Sequence, residues 1–158
     1  MASVMTDTLL KLSDDYFGMQ AKFLEACPED LWVQKFANWP IWQYFWHVLW
    51  INDRFLPGPI TPNPAGTTDD SALFKTQNDP VLPLAEAVKG WTAQKPKTDA
   101  FIRSLSDKDL LARNEDVFKL IGVDWTNVVS VIKLHSHAFY HLGTFDAALR
   151  GKGLAGIY

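Results

Sequence analysis

The chain has a single cysteine, Cys27, so no disulfide can close within it, and a reducing compartment is the simpler expectation. Cys27 stands directly before Pro28 at the end of an expected helix and reads as structural rather than redox-active. Charge of one sign is concentrated nowhere. The net charge is −3, the sequence pI is near 5.7, and no run of lysine or arginine occurs, so neither nucleic acid nor an anionic membrane surface is an expected partner. Long apolar runs are missing too. The most apolar stretch, 39–56, is interrupted by Gln43, His47, Asn52, Asp53 and Arg54 and falls short of the roughly 20 residues of a membrane span. The opening residues MASVMTDTLL carry no basic stretch followed by an apolar one, so the expectation is a cytoplasmic protein, not a secreted one. Internal repeats, low-complexity tracts and strand-rich regions are also lacking.

What is present is helical periodicity. With 158 residues, 47% hydrophobic and 21% charged, the chain is long enough to bury one core, and a single domain over 1–158 is expected. Leu9, Leu12, Tyr16, Met19, Phe23 and Ala26 lie on one stripe of a first helix over about 6–27, with Thr6 or Asp7 as its cap and Pro28 limiting its end. A connector with Leu31, Trp32 and Phe36 should fold back on the bundle. The second helix is expected to start at Asn38-Trp39-Pro40 and to run to about Leu56. The stretch 57–79, with Pro57, Pro59, Pro62 and Pro64, reads as a long loop of the length that a crossover connection needs. A third helix should follow from Asp79 and Pro80. Pro96 either kinks it or splits it. Ser106 to Asp109 resembles a cap with an acid three residues on and predicts a helical turn through Leu111, whereas 112–123 reads as a brief extended pair or an irregular loop. The fourth helix, capped by Asp124, should reach Arg150 and stop at Gly151. The pattern predicts an all-α four-helix bundle with a long crossover connection after helix two.

Three of the four histidines fall within seven residues of that last helix. His137 and His141 stand four apart, one turn above each other on the inward face, and His47 lies on the inward face of the second helix. One site between the helices could receive all three. Each could also be a hydrogen-bonded structural histidine. Three imidazoles lose hydration on burial, and a divalent cation offsets that loss while keeping a coordination position open.

The words Ser136-His137-Ala138-Phe139-Tyr140-His141-Leu142-Gly143 and Trp46-His47-Val48-Leu49-Trp50 resemble the last-helix and second-helix histidine motifs of the DinB/YfiT-like superfamily. The resemblance covers nearly the whole chain, including the Trp125-Thr126-Asn127 stretch before the last helix. It implies a four-helix bundle, commonly a homodimer, with a divalent metal ion, zinc or nickel, held by His47, His137 and His141. Many members follow the final histidine with Arg-Gly-Gln. Here Leu142-Gly143-Thr144 stands in that place, so no role of that arginine or glutamine carries over. His135, about 200° around the helix from His137, does not reach the same ion and reads as a residue behind the ligands or at the surface.

A three-histidine metal with an open position can activate water or hold a thiolate, so hydrolysis of a small molecule and transfer of a low-molecular-weight thiol are both available. The resemblance spans thiol-dependent transferases and isomerases as well as members without a known reaction. No general base is visible. Asp53 is off the His47 face, Glu25 and Glu86 sit near helix ends or point outward, and Tyr44 and Tyr140 are the proton-donor candidates. The alternative is a non-enzymatic bundle whose ion is structural or sensory, and a cleft at the fourth position would separate the two. Trp39, Trp42, Trp46 and Trp50 occupy a second sector of helix two, away from His47; helix one and the 57–79 loop could cover them within the chain, and the reading taken is a homodimer built partly on that stripe.

Overall fold

The computed structural model describes residues 3–55 and 81–158, which form seven helices and one short hairpin. Helix α1 (Val4–Ala26) starts earlier than expected, because the cap is Ser3 and not Thr6 or Asp7; its hydroxyl accepts from the Thr6 N–H at 3.2 Å. The helix ends at Cys27, which is held extended as a residue before proline must be. Its buried face centres on Leu9, Ser13, Tyr16, Gln20 and Phe23. Helix α2 (Glu29–Trp32) turns the connector back, burying Leu31 and Trp32, and the Trp32 indole donates to the Leu82 carbonyl at 2.6 Å.

The expected helix start at Asn38-Trp39-Pro40 is instead a hairpin. Strand β1 (Lys35–Phe36) pairs antiparallel with β2 (Trp39–Pro40) around Ala37 and Asn38, and α3 (Ile41–Phe55) begins only after it. Pro40 is compatible with this locally, because the residue before a proline is driven out of the helical region and Trp39 is extended; the pairing of Lys35 with Pro40 makes it a strand. Ala37 takes a φ of 54°, a left-handed conformation that non-glycine residues seldom adopt.

Helix α3 carries no charged side chain between Ile41 and Asn52 and packs on several sides, against α2, β2 and three later helices. The burial of its indole rings corrects the idea of a spare tryptophan face. Trp42, Trp46 and Trp50 are buried within the chain, and Trp39 lies in β2 rather than on the helix.

The proline-rich stretch 57–79, with the expected cap at Asp79 and Pro80, lies outside the described residues. Helix α4 (Leu84–Ser104) runs through Pro96 without a break. Pro96 and Thr92, whose carbonyl loses its partner, both lie on the exposed face, where water can satisfy that oxygen. Helix α5 (Asp107–Leu111) has the anticipated capping box between Ser106 and Asp109. The next stretch is neither an extended pair nor an irregular loop. It is α6 (Glu115–Ile121), capped by the Asn114 side chain on Val117 N–H and closed by Gly122 at a φ of 71°, with Val117 fully buried. Helix α7 (Asn127–Gly151) is capped by Thr126 and not Asp124, and it includes Gly151.

The four long helices share one core: α1 packs on α4 and α7, and α3 packs on the same two. Phe23 and Phe145 stack at 4.3 Å at its centre. A polar chain crosses it, with Tyr16 Oη donating to Asn52 Oδ1 at 3.2 Å, Asn52 Nδ2 to Gln94 Oε1 at 2.9 Å and Gln94 Nε2 to the Leu49 carbonyl at 2.9 Å. Such pairing is what makes buried amides tolerable, and it joins α1, α3 and α4. Among the described residues no helix is long and apolar enough to cross a membrane.

Candidate metal centre

His47 comes from the middle of α3, and His137 and His141 from successive turns of α7, where those two helices pack together. The helical phase that places Leu134, Ala138, Leu142 and Phe145 in the core carries His141 inward with them. The Nε2 atoms of His47 and His137 are 3.0 Å apart, and those of His141 and His137 are 3.2 Å apart. One ligand atom from each of the three lies within 4.8 Å of the others. Nitrogens held 2.0–2.1 Å from a tetrahedral ion stand about 3.3 Å apart, so the spacing fits one shared cation. Neutral imidazole donors suit zinc or nickel rather than the oxygen-seeking magnesium or calcium.

His47 and His141 are buried, and His137 is half-buried toward solvent. Burial lowers the pKa of His137 to about 4, with the nearby His47 acting in the same direction. Burial lowers His141 to about 3, assisted by His137 and His47. Both rings therefore stay neutral, lone pairs available, over the whole physiological range. Among the described residues the second nitrogen of His141, Nδ1, is buried without a hydrogen-bond partner. Ligating histidines usually donate that N–H to a carboxylate or carbonyl; here packing against Tyr44 and Tyr140, at 5.8 and 5.2 Å between ring centres, sets the ring's orientation instead.

His135 is not at the surface. Only 5% exposed, it donates from Nδ1 to the Val131 carbonyl at 2.6 Å and packs on Tyr16 of α1 at 5.1 Å. It belongs to the α1–α7 contact and is not one of the three clustered histidines. Cys27 is likewise removed from chemistry: burial, with Glu29 and Asp30 beside it, pushes its thiol up to about 12.

The three histidines open into a cleft of about 340 Å³, completed by Asn38 and Trp39 of the hairpin, Tyr44 of α3 and Tyr140 of α7. Tyr44 gives its hydroxyl proton to the Phe36 carbonyl at 3.2 Å, which pins the hairpin beside the site and leaves Tyr140, 75% exposed, as the better placed phenol. Asn38 and Trp39 are not among the site residues expected from the sequence, because the pattern there reads as a helix start. The Trp-Pro dipeptide was the available signal.

Acid should act late on this centre. The unfolded chain binds protons on these imidazoles near 6.5, the folded chain only near about 4 and about 3, so falling pH favours the unfolded chain. The stability these groups contribute is complete above about pH 6.5 and is lost as pH falls through that window. At His137 and His141 protons also compete with the ion only there, so metal content should hold from about pH 8 to 6 and fall below about 5. Metal analysis after equilibration at each pH, with circular dichroism on the same samples, checks this; half-loss near pH 6.5 in folded protein would contradict it.

A family model described as the DinB superfamily matches residues 18–145, a span that contains all three clustered histidines. No curated protein and no solved structure matches the chain.

Proposed function

The chain belongs to the DinB superfamily, and on that premise we propose that it is a divalent-metal-dependent enzyme acting on a small molecule, with His47, His137 and His141 as the metal ligands. The observation that carries the reading is the convergence of three Nε2 atoms on one wall of a cleft with room for a ligand. A zinc or nickel ion bound there supplies Lewis acidity, activating water for hydrolysis or holding a thiolate, such as that of a low-molecular-weight thiol cofactor, for transfer. The chain's own residues do the rest. The imidazoles hold the ion, Trp39 and Tyr44 exclude water from one side, and Tyr140 at the rim offers a phenol for proton transfer. The same reading takes α1, α3, α4 and α7 as a four-helix bundle with a crossover between α3 and α4, in a single cytoplasmic domain. A homodimer remains part of the proposal through the family resemblance, no longer through the tryptophans.

One observation favours a second reading, a structural or sensory ion. Among the described residues no carboxylate lines the cleft, so a general base is not in sight. Metal analysis of untagged protein, followed by a screen of small thiols and electrophiles, separates the two. About one divalent ion per chain and turnover lost on chelation are expected. A full complement of metal with no turnover across the screen would favour the non-enzymatic reading.

A further inference from the structure

We infer that the cleft takes a compact ligand built from one uncharged planar ring and one anionic donor atom, and that it discriminates against ligands carrying further charge. The inference rests on the metal centre proposed above and names the class of molecule that would occupy it.

Charge comes first. Three neutral imidazoles leave the whole charge of a divalent ion to its remaining ligand, which favours an anionic donor such as a thiolate. Beyond the ion, the described residues lining the cleft include no lysine, arginine, aspartate or glutamate. Among the described residues a second carboxylate on the ligand would give up its hydration for neutral hydrogen-bond donors only, which is a poor exchange.

The walls point the same way. Trp39 and Tyr44 pack at 5.0 Å and 48°, Trp39 lies 6.3 Å from the His47 ring, and Tyr140 stands edge-on to His141. Ring faces carry the negative part of the aromatic quadrupole, so they repel an anion and welcome another ring, stacked or edge-on. An aromatic wall also attracts cations, but the ion's own charge opposes a cationic ligand at this distance. About 340 Å³ is near the lower limit of ligand pockets, enough for one ring and a short arm. The residues after His141, Leu142-Gly143-Thr144, add no cation.

Cobalt(II)-loaded protein provides the test, because its visible spectrum reports the ion's ligands without requiring turnover. The two probes are phenylmethanethiol and 3-sulfanylpropanoate, both alkyl thiols that bind as thiolates with the proton passing to buffer. Phenylmethanethiol is expected to shift the spectrum at a concentration roughly tenfold lower, the size of one aromatic contact. Trp39→Ala should remove most of that preference while keeping the cobalt spectrum, and Trp39→Phe should retain it. Equal affinity for both probes, or a preference untouched by Trp39→Ala, overturns this inference and leaves the metal centre standing. A protein that takes up no cobalt overturns both.

Discussion

Alanine in place of His141 is expected to strip the protein of its divalent ion, with affinity falling by at least about a hundredfold, while His135→Ala keeps the full metal content and loses stability instead. The two residues differ by six positions on one helix and are both buried. What separates them is where the ring nitrogens point. His141 Nε2 faces His137 Nε2 at 3.2 Å, and His137 in turn faces His47 at 3.0 Å, so removing His141 leaves two donors for an ion that needs three from the protein. His135 gives its Nδ1 proton to Val131 and fills space against Tyr16. Its loss opens a cavity between α1 and α7 and removes one hydrogen bond, at a cost of about 2–4 kcal/mol. Metal analysis of both variants, with denaturation midpoints measured alongside, tests the pair. A protein with all three clustered histidines replaced by alanine that still carried its ion would end the proposal.

That contrast also marks how far the sequence could be read. The i, i+4 spacing of His137 and His141 was legible because helical phase is a local property, and α7 continues without a break through both. His47 was legible for the same reason once α3 was recognised as inward-facing. The surface alternative for His135 fails because phase relative to the cluster says nothing about a second neighbour: α1 covers the face where His135 emerges. The hairpin was missed because Asn38-Trp39-Pro40 satisfies the rule for a helix start as well as the rule that a residue before proline is extended, and only the pairing of Lys35 with Pro40 decides between them. Helix α6 had both a capping Asn114 and a closing Gly122 in the sequence, but seven residues give too little periodicity to stand out. Ser3 rather than Thr6, and Thr126 rather than Asp124, are the same ambiguity on a smaller scale, since several capping residues stood near each helix start.

The double substitution Trp46→Glu, Trp50→Glu is expected to unfold the protein outright, not to dissociate a folded dimer. The sequence places Trp42, Trp46 and Trp50 away from the face of His47, and a stripe of exposed indoles would have called for a second subunit to cover it. The chain covers it itself. Trp46 is 1% exposed and Trp50 6%, their rings 6.3 Å apart, on a helix that also touches α2, β2, α4, α6 and α7. Truncating one buried tryptophan costs about 3–5 kcal/mol in lost contacts, and a carboxylate placed in the same apolar surroundings adds an unpaired buried charge or the work of keeping it protonated. Two such changes approach or exceed the whole stability of a typical domain, about 5–15 kcal/mol. Sedimentation and far-ultraviolet circular dichroism together give the answer. Loss of the helical signal in the variant is the expected result; a variant that kept its helices and only moved from dimer to monomer would mean that these indoles face a partner, and that α3 is not enclosed by its own chain.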